Sequence, residues 1–212
     1  MNLFSQPVLY CISDQANGDP LELFRVAIDC AVPFFQYRHK YLSEAERHIS
    51  LARLANLPRN RTRLLINQSI NLVQAFDADG VHLPGYGFHV EAARAELPGK
   101  LIGVSAHTLN EAGRAADAGA HYLLLAPVFT PISKPSNRQP LGIEGLRVVC
   151  RAVHVPVIAL GGISAKSFRE IMETGAAGIA GISLFADYER IPEVVSCFRT
   201  AVEGGDRLGA RG

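Results

Sequence analysis

Gln36, Arg38 and Lys40 stand at alternate positions at the end of the apolar run FFQYRHK, residues 34–40. A β-strand turns successive side chains to opposite faces, so these three share one face while Phe35, Tyr37 and His39 share the other. An amide, a guanidinium and an ammonium on one face suit an anion. The Arg fork grips phosphate oxygens in a fixed plane, and Lys acts as a movable charge. Each charge-assisted bond of this kind contributes about 1.5–3 kcal/mol. The competing reading is a surface salt bridge to a neighbouring Glu.

Further polar groups follow other apolar runs. They are Asn67 and Gln68, His82, Ser105 and His107, then Ser133, Lys134, Asn137 and Arg138 in the long stretch PVFTPISKPSNRQPLG. Two glycine-rich ends, Gly161-Gly162-Ile163 and Gly181-Ile182-Ser183, suit a second anion, because glycine lets backbone N–H groups approach closely. The plainer reading of Gly161 and Gly162 is a tight turn. His82 reads either as a packed core histidine or as a functional one. His107 sits one residue before a helix cap and is a candidate proton carrier, while His39 faces away from the anion face and reads as structural.

These groups need a frame that brings them to one place. Short β-rich runs recur along the chain at 8–13, 33–38, 63–67, 79–83, 101–105, 122–129, 156–162 and 177–183. Most are continuously apolar rather than alternating, as in strands buried on both faces of a parallel sheet. Amphipathic stretches lie between them. Asp19-Pro20 supplies a cap and a first-turn proline, with Glu22 three residues after the cap; Ser43 with Glu46 and Thr108 with Glu111 fit capping boxes. A last helix is expected over 189–203. Eight alternating units without a linker predict one (β/α)₈ TIM barrel over residues 1–205, with 206–212 as a flexible tail. The rival, an open doubly wound sheet, usually carries a Gly-rich fingerprint after its first strand, and SDQANGDP has none. In a barrel the C-terminal strand ends share one rim, which is where the polar groups fall. The loops after strands seven and eight are a common phosphate site there, and Lys134, on the far side of the mouth, is placed to close over a ligand.

Composition limits the partners. The chain has 212 residues, 48% of them apolar, and a net charge of +1. That balance does not suggest nucleic acid, whose binders usually show a basic stripe. There is no apolar run of about 18 residues, so no membrane span is expected, and MNLFSQPVLY lacks the features of a signal peptide. The four cysteines have no CxxC spacing, which argues against zinc and fits reduced core thiols in a cytoplasm. The expected partner is a small phosphorylated molecule. Composition leaves room for a homo-oligomer.

In order along the chain, QYRHK, LLINQSINLVQAFDADGVHLP, LIGVSAHTLNEAGRAADAGAHYLLLAPVF, SK, VPVIALGGI and AAGIAGIS resemble the thiamine phosphate synthase and thiazole tautomerase superfamily, over residues 8–185. The resemblance implies a (β/α)₈ barrel. In its synthases a thiazole phosphate nitrogen displaces pyrophosphate from a pyrimidine methyl diphosphate. The resemblance assigns pyrophosphate contacts to Gln36, Arg38, Lys40, Asn67, Ser105 and Lys134, and thiazole phosphate contacts to Gly161, Gly162, Ile182 and Ser183.

The chain departs from the synthases at two positions. They carry magnesium-binding Asp residues where this chain has Gln68 and, by even spacing, Gly87. Magnesium favours charged oxygen ligands, so it is expected here only if the synthase reading holds. Asp77 and Asp79 precede strand four, at the wrong end of the barrel. HLPGYGF is similar to the tautomerase branch, which lacks the same acids. That branch can carry a proton-carrying His where this chain has Pro127, leaving His107 or His82 for the role. The expectation is therefore a tautomerase-like protein of thiamine biosynthesis without a cofactor. The alternatives are a thiamine phosphate synthase and a non-catalytic phosphate-ligand binder.

Overall fold

The computed structural model describes residues 3–86, 89–130 and 138–209. Ser133, Lys134, Asn137 and Gly87 lie outside the described residues. Eight parallel strands close into a barrel in chain order: β1 (Val8–Ile12), β2 (Phe34–Tyr37), β3 (Arg63–Asn67), β4 (Gly80–Leu83), β5 (Leu101–Ala106), β6 (Tyr122–Leu125), β7 (Val157–Leu160) and β8 (Gly178–Gly181). Closure is made by β8 against β1, with Gly178 opposite Val8 and Gly181 opposite Cys11. Outside lie α1 (Pro20–Asp29), α2 (Glu44–Ala55), α3 (Ile70–Ala75), α4 (Val90–Glu96), α5 (Leu109–Asp117), α6 (Gly142–Ala152), α7 (Phe168–Met172) and α8 (Ile191–Gly209). This is the expected (β/α)₈ TIM barrel.

The continuous apolar character of the strands has a direct cause, since each strand serves two cores. Val8, Tyr10 and Ile12 of β1 point into the barrel with Phe34, Leu65, Tyr122, Leu124, Ile158 and Ala180. Leu9 and Cys11 point outward, into the shell shared with the helices, as do Phe35, Tyr37, Leu64 and Ile66. Phe24 of α1 meets Phe35 of β2 with ring centroids 4.6 Å apart. Burying one such ring contributes about 1.5–3 kcal/mol. At the N-terminal end Phe4 stacks on Phe34 at 5.4 Å and closes the barrel floor.

Helix starts follow their caps. Asp19 accepts from the Leu21 N–H ahead of Pro20, and Ser43 with Glu46 forms a complete capping box. Thr108 and Glu111 form only half of one. The Thr108 hydroxyl accepts from the Glu111 N–H, but the Glu111 carboxylate bonds the backbone of His107 instead of closing the box. Two boundaries differ most from expectation. The apolar run 122–129 contains a strand of four residues only, Tyr122–Leu125, after which Val128 and Phe129 bond the end of β7. Val128 is apolar because it is fully buried beside β7, donating its N–H to the Leu160 carbonyl. Helix α8 extends to Gly209 rather than ending near 203.

Candidate active site

The C-terminal strand ends enclose a pocket of about 310 Å³ lined by Gln36, Arg38, Lys40, Asn67, Gln68, His82, Ser105, His107, Arg138 and Ile182, among others. The alternation expected for β2 holds: Gln36, Arg38 and Lys40 line this mouth, and His39 does not. Gly161, Gly162 and Ser183 are not among the lining residues, although Leu160 and Ile182 beside them are.

Arg38 is held by its neighbours. Its guanidinium pairs with Asp14, a buried carboxylate that caps the short 3₁₀ helix Gln15–Asn17. Its N–H donates to the Ser13 hydroxyl at 3.1 Å, and that hydroxyl donates to the Gln36 carbonyl at 3.2 Å. The loop after β1 therefore fixes the cation at the end of β2. Asp14 and Ser13 were not singled out in the sequence. An Asp before a helical turn was a visible signal for a cap, but not for an ion pair across 24 residues.

Below the rim a hydrogen-bonded chain crosses the barrel. The Tyr10 hydroxyl donates to Gln36 Oε1 (3.3 Å), and Gln36 Nε2 donates to Asn67 Oδ1 (3.2 Å). Tyr10 and Tyr122 share a bond of 2.9 Å; His82 meets the Tyr122 hydroxyl through Nδ1 (3.4 Å) and the Ser105 hydroxyl through Nε2 (2.9 Å). Burial, with a smaller contribution from the Arg38 charge, pushes the His82 pKa down to about 3, so its ring is neutral. A neutral ring and the Tyr10-to-Gln36 bond leave one order that makes every bond. Ser105 donates to His82 Nε2, His82 Nδ1–H to Tyr122, Tyr122 to Tyr10, Tyr10 to Gln36, and Gln36 to Asn67. His82 is thus a core histidine bonded to side chains. It positions Ser105, while Tyr10 and Tyr122 hold Gln36. Neither tyrosine was read as part of the site, since both look like ordinary core aromatics in sequence. Space for Tyr122 comes from Gly103, where a Cβ would lie 2.0 Å from the Tyr122 ring.

His107 Nδ1–H donates to the Ala126 carbonyl at 2.6 Å, and the His107 N–H donates to Glu111 at 2.6 Å. Both bonds fix the ring at the mouth, with Nδ1–H committed to the carbonyl. The glycine pair after β7 is required by conformation and by space. Gly161 and Gly162 have φ of 101° and 65°, and a Cβ on Gly162 would lie 2.5 Å from the Thr130 carbonyl oxygen. Ile182 and Ser183 begin the 3₁₀ turn after β8, whose first N–H groups have no acceptor inside the turn.

The described residues do not fit a magnesium ion held by the protein. No Asp or Glu lines the mouth, and no group of three His, Cys, Asp or Glu side chains is placed to hold a metal among the described residues. Asp14 is committed to Arg38. Asp79 accepts from Arg59, Arg63 and the Leu64 N–H, and Asp77 pairs with Lys100, both just ahead of β4 and away from the rim. Gln68 offers only a neutral carbonyl, from a left-handed backbone of φ 67°.

A model of the thiamine monophosphate synthase family matches residues 9–185. The thiamine-phosphate synthase of Salinibacter ruber is 38% identical over 193 residues, 90% of this chain and 85% of that protein. The thiamine-phosphate synthase of Chloroflexus aurantiacus is 38% identical over 82% of this chain and 83% of its own length. Among solved structures, thiamine phosphate pyrophosphorylase from Pyrococcus furiosus superposes with a TM-score of 0.85 at 31% identity, covering 96% of this chain and 98% of that one. These relatives overturn the expectation of a tautomerase-like protein. Two missing acids and the HLPGYGF stretch weigh little against identity spread along nearly the whole barrel. The match over residues 9–185 and these relatives together place the chain in the thiamine monophosphate synthase family.

Proposed function

We propose that the chain is a thiamine-phosphate synthase, joining a pyrimidine methyl diphosphate to a thiazole phosphate with release of pyrophosphate. The observation that carries this reading is the mouth itself. Gln36, Arg38, Lys40, Asn67, Ser105 and Arg138 surround one pocket, whose lining among the described residues holds three cations and no carboxylate. In the reaction the C–O bond from the pyrimidine methylene to the diphosphate breaks, and a C–N bond to the thiazole forms. The electron pair leaves on pyrophosphate. Arg38, Lys40 and Arg138 stabilise that developing charge, and fixed charges in a partly dry site are worth far more than in water. Gln36 and Asn67, oriented by the tyrosine chain, add neutral donors. The turns at Gly161–Gly162 and Ile182–Ser183 supply backbone N–H groups for the thiazole phosphate. The substrates are small phosphorylated molecules. No helix among the described residues is long and apolar enough to cross a membrane, and four free thiols support a cytoplasmic setting.

The test is pyrophosphate release with both substrates present. Turnover well above the buffer rate is expected, and Arg38→Ala should lower kcat/KM by about 10²-fold or more. Asp14 loses its Arg38 partner in that variant, so its unfolding midpoint is measured alongside. No release by the wild-type chain overturns the reading.

A further inference from the structure

Beside the mouth lies a second cavity, of about 300 Å³, between β2, β3 and α2. Three of its lining side chains, Tyr37, His39 and Arg47, carry buried polar atoms without a hydrogen-bond partner: Tyr37 Oη, His39 Nε2 and Arg47 Nε. Its rim side is formed by Lys40, Asn67 and Gln68, which also line the mouth. Tyr37 and His39 are 2% and 9% exposed. Burial raises the Tyr37 pKa and the nearby Ser50 hydroxyl offsets part of that rise, so Tyr37 has a neighbour to lean on and His39 and Arg47 carry the case.

Buried polar atoms in native proteins nearly always have a partner, and several without one around a single cavity call for an occupant. The chemistry of that occupant follows from the lining. Arg47 Nε–H can only donate, Tyr37 and His39 can donate, Lys40 is a cation, and no Asp or Glu is present. Asn67 Oδ1 already accepts from Gln36. Lys40 and Arg47 make the wall positive, no carboxylate lines it, and Tyr37 and His39 add donors, which together suit a small anion.

We propose that this cavity is a second oxyanion site, distinct from the mouth, that takes a phosphate-sized anion on His39, Arg47 and Tyr37. An anion there shares Lys40 with an anion in the mouth, so the two are neighbours across Lys40, Asn67 and Gln68. The proposal does not depend on the reaction catalysed at the mouth.

Titration calorimetry with inorganic phosphate tests it. The expected result is a binding event that Arg47→Gln weakens at least tenfold. His39→Phe keeps the ring in place and should weaken the same event, which preserves the test if the Arg47 variant does not fold. Crystals soaked in phosphate should show tetrahedral density within hydrogen-bond distance of Arg47 Nε and His39 Nε2. Phosphate binding indifferent to both Arg47→Gln and His39→Phe, or a cavity holding only water at saturating phosphate, overturns the proposal.

Discussion

His82 shows how burial changes what a residue can do. In water its ring would titrate near pH 6.5, but inside the barrel its pKa is about 3. The unfolded chain therefore binds a proton between pH 6.5 and 3 that the folded chain refuses. The stabilisation this neutral ring provides is complete above pH 6.5 and is lost as pH falls toward 3. Urea unfolding between pH 4 and 7 should show wild-type stability falling with acid, with a shallower slope for His82→Gln. Equal slopes would place the titration elsewhere. From the sequence, His82 could be read either way, because one letter carries no information about burial. The pairing of Arg38 with Asp14 was equally invisible, whereas the shared face of Gln36, Arg38 and Lys40 followed directly from strand alternation.

At the scale of elements, the turn from β7 toward α7 depends on backbone freedom. Gly162 combines a positive φ with a close approach to the Thr130 carbonyl, while Gly99 has φ 78° and nothing within 4 Å. Gly99→Ala should cost only the backbone term, about 1–2 kcal/mol. Gly162→Ala must also move the chain around Thr130 and should cost more, read as a larger drop in the urea midpoint. Equal losses would show that the turn yields freely. Strand and helix order was legible because two-sided burial leaves long apolar runs and caps leave short polar marks. The end of β6 was not legible: Val128 and Phe129 are apolar for packing over β7, and composition cannot separate that from strand continuation. The half-formed box at Thr108 was missed for a similar reason, since spacing alone cannot say that Glu111 turns to His107.

Across the whole molecule the charge is nearly balanced, at +1, yet the mouth is not. Among the described residues Arg38, Lys40 and Arg138 line it and no carboxylate does, while Asp77 and Asp79 are held in pairs ahead of β4. Barrel closure makes this separation possible, because every strand's C-terminal end reaches one rim and every N-terminal end the other. Affinity for pyrophosphate should therefore fall as potassium chloride rises from about 0.05 to 0.5 M, as screening shortens the reach of the cations. It should also persist in EDTA, since the described donors do not fit a resident magnesium. Affinity indifferent to salt, or abolished by EDTA, would contradict that charge arrangement.

What the amino-acid sequence determined by itself was the barrel, the order of its units and the polar character of its rim. Each of these rests on local rules: alternation in strands, caps on helices, and glycine where the backbone must turn. The tertiary structure alone decided which polar groups meet. It brought Asp14 to Arg38, strung Tyr10 and Tyr122 between Gln36 and His82, and opened a donor-lined cavity behind Lys40. Those relations join residues far apart in the chain, and only closing the ring sets the distances between them.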